Sequence, residues 1–111
     1  MKTKQMDFWS GQFGKDYTDR NPQSIEECER INEQRYGLKR TKINEEFLSG
    51  LDREMRILEV GSNIGLQLMA LQKQGFKNLF GIELQSYAVE KSKQLTKGIN
   101  IIQASGFDIP F

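Results

Sequence analysis

Histidine is absent from this chain of 111 residues, and there is a single cysteine. The lack of histidine excludes imidazole bases, Ser-His and Cys-His nucleophile pairs and most zinc sites. One cysteine, Cys28, excludes an intramolecular disulfide and a cysteine zinc cluster, and this composition suits a reducing cytoplasm. The sequence therefore predicts no metal site.

Strong net charge and long apolar runs are missing as well. A formal net charge of +1 provides no basic field for nucleic acid, so no nucleic-acid partner is expected. No apolar run approaches the roughly 20 residues that cross a bilayer, and residues 1–5 carry no apolar segment of a secretory signal. We therefore expect a cytoplasmic protein without a membrane partner, and one domain with a modest core.

The middle of the chain carries the clearest pattern. Residues 56–65 read Arg-Ile-Leu-Glu-Val-Gly-Ser-Asn-Ile-Gly, which is typical of a buried strand followed by a glycine turn. A helix from Leu66 to Gln74, a strand over 78–83, a helix from Ser86 to Gly98 and a strand over 99–102 follow. This β-α-β-α-β order predicts an α/β fold with a parallel sheet.

The first half of the chain reads as helices that accompany that unit. Ser24 is expected to cap a helix with Glu27 reaching back to it, and Gly37 is expected to end that helix. Thr41 is expected to cap the next one. Its inward residues are expected to be Ile43, Phe47 and Leu48. We expect these helices to flank the sheet. The predicted organisation is an accessory part over residues 1–50 and a cofactor-binding part over residues 51–111.

Four aromatic residues near the N-terminus are spaced as they would be on one face of a broken helix: Phe8, Trp9, Phe13 and Tyr17. One interpretation is an arm that packs on the domain with its aromatic rings. The other is a lid whose Tyr17, Arg20 and Asn21 close over a ligand.

Residues 51–111 supply about half of a doubly wound domain, because the third strand is followed only by residues 104–111. We therefore expect this chain to be the N-terminal part of a longer protein. Alternatively, the N-terminal helices and a partner chain cover the sheet, and the exposed sheet edge makes an oligomer possible.

The glycine turn discriminates between cofactors. A dinucleotide site needs G-x-G-x-x-G, but Asn63 and Leu66 stand where the second and third glycines belong after Gly61. The turn instead has the pattern acidic-x-Gly-x-x-x-Gly from Glu59 to Gly65. It resembles motif I of the class I S-adenosylmethionine-dependent methyltransferases. The resemblance implies the first half of their Rossmann-like fold, with S-adenosyl-L-methionine as cofactor.

Other residues follow from that resemblance. Glu83, at the end of the second strand, is expected to accept hydrogen bonds from both ribose hydroxyls. Ser105 stands where many of these enzymes carry an adenine-binding Asp, and Asp108 is expected to shape the loop. The residues expected to contact the cofactor are Glu59, Gly61, Ser62, Asn63, Gly65, Glu83, Leu84, Ser105, Gly106 and Phe107, with Tyr17 and Arg20 from the arm.

Each of these residues also has a structural interpretation. The glycine turn can be only a turn. Glu59 can be a buried acid paired with backbone N–H groups, and Glu83 can be a charge at a helix N-terminus.

The arm of residues 8–21, together with the Asn-Ile-Gly form of the turn, looks like the pseudaminic acid biosynthesis-associated methylases. That resemblance implies transfer of a sulfonium methyl group to a small molecule, such as a sugar or nucleotide-sugar of a bacterial surface glycan. Residues that select the acceptor follow a fourth strand in such folds, so no catalytic residue is assigned. The alternatives are a non-catalytic Rossmann-like module that binds a partner, and an NAD-binding fragment.

Overall fold

The computed structural model describes residues 3–111. The elements follow in the order α1 (Lys4–Ser10), α2 (Gln12–Arg20), α3 (Ile25–Tyr36), α4 (Arg40–Leu48), β1 (Arg56–Val60), α5 (Leu66–Lys73), β2 (Asn78–Glu83), α6 (Ser86–Leu95) and β3 (Asn100–Gln103). Within that range, none of the helices combines the length and the apolar character that a bilayer crossing requires.

The three strands form one parallel sheet in the order β1-β2-β3. In this register Leu58 lies beside Phe80, and Ile82 lies beside Ile102. The predicted α/β class and the strand-helix-strand order are confirmed, and the architecture is consistent with half of a Rossmann-like fold. Because the strands are parallel, their carboxyl ends share one rim of the sheet, where Val60 and Glu83 lie.

The hydrophobic core lies between the sheet and helices α5 and α6. Its buried members are Leu68, Leu71, Phe76, Leu79, Val89 and Ile101. The other face of β1 has no such cover among residues 3–111, since Leu58 and Val60 are 38% and 59% exposed. The sheet is therefore packed on one face and largely open on the other.

The N-terminal aromatic residues lie on a helix that is broken at Gly11, as their spacing predicts. The rings of Phe8 and Phe13 stack with centroids 4.2 Å apart, and Trp9 meets Tyr17 edge-on at 5.1 Å. All four rings remain partly exposed. They pack chiefly on one another, so the contact of α1 with the rest of the chain rests on other groups.

Helices α3 and α4 pack on each other and on α5. Ser24 caps α3 as predicted, because its Oγ accepts a hydrogen bond from Glu27 N–H at 3.1 Å. The Glu27 carboxylate, however, accepts from Gln23 N–H at 3.3 Å instead of returning to Ser24. Gly37 ends α3 in the left-handed conformation, as expected.

The predicted inward face of α4 is confirmed at Leu48 and wrong at Ile43 and Phe47. Ile43 and Phe47 are 38% and 75% exposed, whereas Asn44 is buried and Leu48 contacts the core. Both pairs have the i, i+4 spacing of a helix face, so periodicity alone does not choose between them. The choice follows from Gln67 on α5, whose side-chain amide exchanges hydrogen bonds with that of Asn44 at 3.2 and 3.3 Å.

Two predicted helix starts also shift. Lys39 precedes α4, and Thr41 lies inside the helix, where its N–H and hydroxyl donate to the Glu29 carboxylate at 3.1 and 2.8 Å. Gln85, not Ser86, is the N-cap residue of α6. Leu95, at the end of that helix, is 41% exposed and does not join the core.

Candidate functional site

The turn between β1 and α5 is fastened to the end of β2. The N–H groups of Gly61 and Ser62 both donate to the Ile82 carbonyl, at 2.8 and 3.1 Å, and Gly65 N–H donates to the Ser62 carbonyl at 2.9 Å. Asn63 adopts a left-handed φ of 52°, which is uncommon for a residue other than glycine. The turn is therefore a defined structure at the rim where ligands bind in open α/β sheets.

Gly65 has a packing role. Its φ is 89°, and a Cβ at this position would lie 2.8 Å from Ile101 Cδ1. Glycine therefore allows the start of α5 to approach β3 closely. Gly65 lines neither of the two cavities described below.

Glu83 joins the turn to the loop before α6. Its Oε1 accepts from Asn63 N–H at 2.8 Å, and its Oε2 accepts from Gln85 N–H at 2.9 Å. A carboxylate has about four lone-pair positions, so each oxygen can accept a further hydrogen bond. Glu83 thus positions the turn and keeps the capacity to bind a hydroxyl.

The first of two cavities beside the turn, the α1 cavity, has a volume of about 340 Å³. Five of the predicted residues from the ends of β2 and β3 line it: Glu83, Leu84, Ser105, Gly106 and Phe107. Helix α1 contributes Met6 and Trp9 to its wall. Ser105 Oγ accepts from Phe107 N–H at 3.0 Å, and Asp108 N–H donates to the Ser105 carbonyl at 3.0 Å, so this loop has a fixed turn.

The second cavity, the α2 cavity, has a volume of about 290 Å³ and lies on the other side of the turn. Four further predicted residues line it, namely Tyr17, Glu59, Ser62 and Asn63. Arg40, at the start of α4, also reaches it. Both volumes are near the lower end of the range of small-molecule sites, about 300–1,000 Å³.

Two polar atoms of the α2 cavity are buried without a hydrogen-bond partner in residues 3–111: Glu59 Oε1 and Ser62 Oγ. Burial raises the pKa of the Glu59 carboxyl from 4.5 to about 7; the positive charge of Arg40 opposes this shift and the negative charge of Glu83 adds to it. Buried polar atoms are nearly always paired, so unpaired oxygens on two residues that line one cavity are unusual.

Gly61 lines both cavities. A Cβ at this position would meet no atom within 4 Å outside the neighbouring residues, so the space beside Gly61 is open. The two cavities, together called the cleft, therefore share Gly61, and Glu83 lines one of them and Glu59 the other.

Arg20 lies exposed at the end of α2 and lines neither cavity. Three other residues that the sequence did not single out join the site: Arg40, Thr18 and Gln85. Gln85 had a usable signal, because it follows the end of β2 by two residues. Arg40 and Thr18 had none, since each looks like an ordinary residue of a surface helix.

No group of three or more His, Cys, Asp or Glu side chains that could hold a metal ion comes together among the described residues. Comparisons of this chain with protein-family models, with curated proteins and with solved structures give no match.

Proposed function

We propose that this chain is the cofactor-binding part of an S-adenosyl-L-methionine-dependent methyltransferase. The observation that carries the proposal is the cleft at the strand ends, whose two cavities share Gly61 and are each lined by one carboxylate. S-adenosyl-L-methionine has a nucleoside at one end and a charged amino acid at the other. The two parts of the cleft differ in the corresponding way.

The α1 cavity suits the nucleoside. The free lone pairs of Glu83 can accept from the two ribose hydroxyls, because its present hydrogen bonds leave one position on each oxygen. Trp9 and Phe107 provide apolar aromatic surface for a purine base. Ser105 keeps a hydroxyl proton with which to donate to a ring nitrogen, since its Oγ is only an acceptor toward Phe107.

The α2 cavity suits the amino-acid end. An ammonium group would favour the ionised form of the Glu59 carboxyl, whose pKa burial raises to about 7, and Arg40 provides a positive charge for a carboxylate. Ser62 Oγ, which is buried and unpaired, supplies a further hydrogen bond. A zwitterion would thus offer hydrogen-bond partners to Glu59 and Ser62.

When bound, the cofactor supplies a methyl group on a sulfonium. The residues of this chain bind and orient it, and α1 and α2 shield the cleft from water. The proposed acceptor is a small molecule of the sugar or nucleotide-sugar class, and the proposed location is the cytoplasm. These two points rest on the resemblance of residues 8–21 and 59–65, and on the single cysteine.

Titration calorimetry tests the cofactor. S-adenosylhomocysteine and S-adenosylmethionine are each titrated into the wild-type chain, and NAD is titrated in parallel. We expect the first two to bind and Glu83→Gln to weaken that binding by about tenfold or more, since hydrogen bonds to a charged group contribute about 1.5–3 kcal/mol. Glu54→Gln is the matched control, because Glu54 is exposed and pairs with Lys77 far from the cleft.

Two results would contradict the proposal. Binding of NAD without the sulfonium nucleosides would favour a nicotinamide site, although Asn63 and Leu66 stand where that site needs glycines. A folded chain that binds none of the three would favour a non-catalytic module that acts through a protein partner. The open face of the sheet, where Leu58 and Val60 are exposed, is the observation that supports this second function.

A further inference from the structure

One buried side chain connects both N-terminal helices to the candidate site. Gln85 is 3% exposed and lies in the loop between β2 and α6. Its Nε2 donates to the Trp9 carbonyl at the end of α1, at 3.0 Å. Its Oε1 accepts from the Thr18 hydroxyl of α2, also at 3.0 Å. Its own N–H donates to Glu83, so the connection reaches the cleft.

The packing around Gln85 leaves no free space. A Cβ at Gly14 of α2 would lie 1.7 Å from the Trp9 carbonyl oxygen and 2.3 Å from Gln85 Nε2. Gly14 therefore lets the backbone of α2 cover the hydrogen bond between Gln85 and Trp9. The Gln85 side chain is itself buried, so a hydrogen bond that its amide loses without replacement is costly.

Thr18 links this connection to the glycine turn. Its Oγ1 lies 3.0 Å from Gln85 Oε1 and 3.1 Å from Asn63 Oδ1. A hydroxyl has one proton, so Thr18 donates to one of these oxygens at a time. Asn63 lines the α2 cavity, and therefore a ligand there can compete for its amide oxygen.

We propose that Gln85 is a positioning residue that holds α1 and α2 over the cleft, and that Thr18 couples this hold to the occupancy of the α2 cavity. When a ligand N–H donates to Asn63 Oδ1, the Thr18 hydroxyl donates its hydrogen bond to Gln85 Oε1 alone. The hold on α2 then strengthens, and by thermodynamic linkage the same hold strengthens ligand binding. The ligand in this inference rests on the proposed function, whereas the hold itself belongs to the chain without ligand.

Hydrogen exchange of the full chain without ligand tests the hold. Gln85→Met keeps the size of the side chain and removes both hydrogen bonds. We expect amide exchange in α1 and α2 to rise by about tenfold or more, and exchange in β2 and α5 to stay unchanged. Trp9 is the one tryptophan of the sequence, so acrylamide quenching of its fluorescence should increase in parallel.

Gln72→Met is the matched control. Gln72 also donates its Nε2 to a distant backbone carbonyl, that of Lys97 at 2.6 Å, but it lies on α5 outside both cavities. Exchange in α1 and α2 should not respond to it. An unchanged exchange of these helices in Gln85→Met, or an equal rise throughout the sheet, would overturn the inference.

Thr18→Val is the second variant, and it tests whether the hydrogen bonds of Gln85 hold α2 if Gln85→Met does not fold. It removes the shared proton and keeps the side-chain shape. Thr96→Val is its control, because Thr96 donates to Ser92 O at 2.8 Å on α6. We expect Thr18→Val to raise exchange in α2, and Thr96→Val to leave it as in the wild type.

Titration with S-adenosylhomocysteine tests the coupling. The ligand should slow exchange in α1 and α2 of the wild type, and its affinity should fall about five- to tenfold or more in Gln85→Met and Thr18→Val, within the usual range of coupling between sites. Equal affinities in the wild type and both variants would refute the coupling. Failure of the wild type to bind would refute both the proposed function and the coupling. Hydrogen exchange without ligand would still show whether Gln85 holds α1 and α2 in place.

Discussion

The β-α-β-α-β part and the two N-terminal helices are held in place by different forces. Residues 56–103 bury a cluster of large apolar side chains, in which Leu68 has no exposed surface and Phe76 is 1% exposed. Helix α1 buries no residue, and α2 buries only Gly14 and Thr18. The first part is stabilised by apolar burial and the second by a few polar contacts. Helices held in the second way open at a lower free energy, which is a property of lids.

The largest expected effect is in the core. Leu68→Ala should lower the free energy of unfolding by about 2–5 kcal/mol, because it removes a fully buried side chain and leaves a cavity. Urea denaturation followed by circular dichroism measures it. Leu95→Ala is the control at an exposed site, and its cost should be within about 0.5 kcal/mol. Similar costs for both variants would contradict the assignment of the core.

Gly14→Ala should come second and act locally. The added methyl group would overlap the Trp9 carbonyl, and overpacking of this kind costs about 1–3 kcal/mol. We expect faster hydrogen exchange in α1 and α2 and an unchanged core. Gly50→Ala is the control, since a Cβ there would meet nothing within 4 Å. A Gly14→Ala chain with wild-type exchange in α1 would show that these helices do not pack as described.

The third prediction concerns pH. The pKa of Glu59 is raised by burial from 4.5 to about 7, so the folded chain binds more protons than the unfolded chain between these values. The contribution of the Glu59 carboxyl to the free energy of unfolding is fully present below pH 4.5 and is lost as the pH rises to about 7. Glu59→Gln should remove this slope and be about 1–2 kcal/mol more stable than the wild type at pH 8, less than full linkage because the side chain is partly exposed.

Thermal unfolding from pH 4 to pH 8 measures the slope. Glu54→Gln, at an exposed residue paired with Lys77, should leave the slope of the wild type in place. The interpretation of Glu59 fails if the wild type and Glu59→Gln lose stability equally over this range.

The smallest effect is expected at the outer contact between α2 and α6. Asp19 accepts from the Tyr87 hydroxyl and lies 3.1 Å from Lys91 Nζ, and these hydrogen bonds hold the pKa of Asp19 below its usual value. The contribution of the ionised Asp19 to stability is fully present above about pH 3.8, the usual pKa of this carboxyl, and is lost as the pH falls below that value. Asp19→Asn should slightly speed exchange at the end of α2, and about 1 M salt should reduce the difference, because salt screens the attraction to Lys91 but not the hydrogen bond from Tyr87.

The control for the outer contact is Glu90→Gln, whose ion pair with Lys93 lies within α6. It should not change exchange in α2. An Asp19→Asn effect that high salt leaves undiminished would show that the Tyr87 hydrogen bond, and not the charge of Lys91, makes this contact.

The elements that follow from local chemistry were predictable. Three short apolar runs predicted the three parallel strands, and the glycines at 61 and 65 predicted the break between β1 and α5. The predicted end of the second strand at Glu83 is confirmed, and its carboxylate accepts a hydrogen bond from Asn63 N–H of the turn. These features depend on residues close together in the chain, and parallel topology then brings the strand ends to one rim.

Features that depend on distant residues were not predictable. In α4, Phe47 is exposed and Asn44 is buried. The helical periodicity would equally allow Phe47 to be buried and Asn44 exposed, and the hydrogen bond between Asn44 and Gln67 of α5 selects the observed arrangement. Gln85 acquires its role because Trp9 and Thr18 fold over it from positions more than 60 residues away. Local sequence therefore specifies the strands, turns and rim of this protein. Long-range packing decides which polar side chains become buried and which groups they bond to. A buried polar group is stable only with hydrogen-bond partners, and the folded chain brings those partners from distant positions.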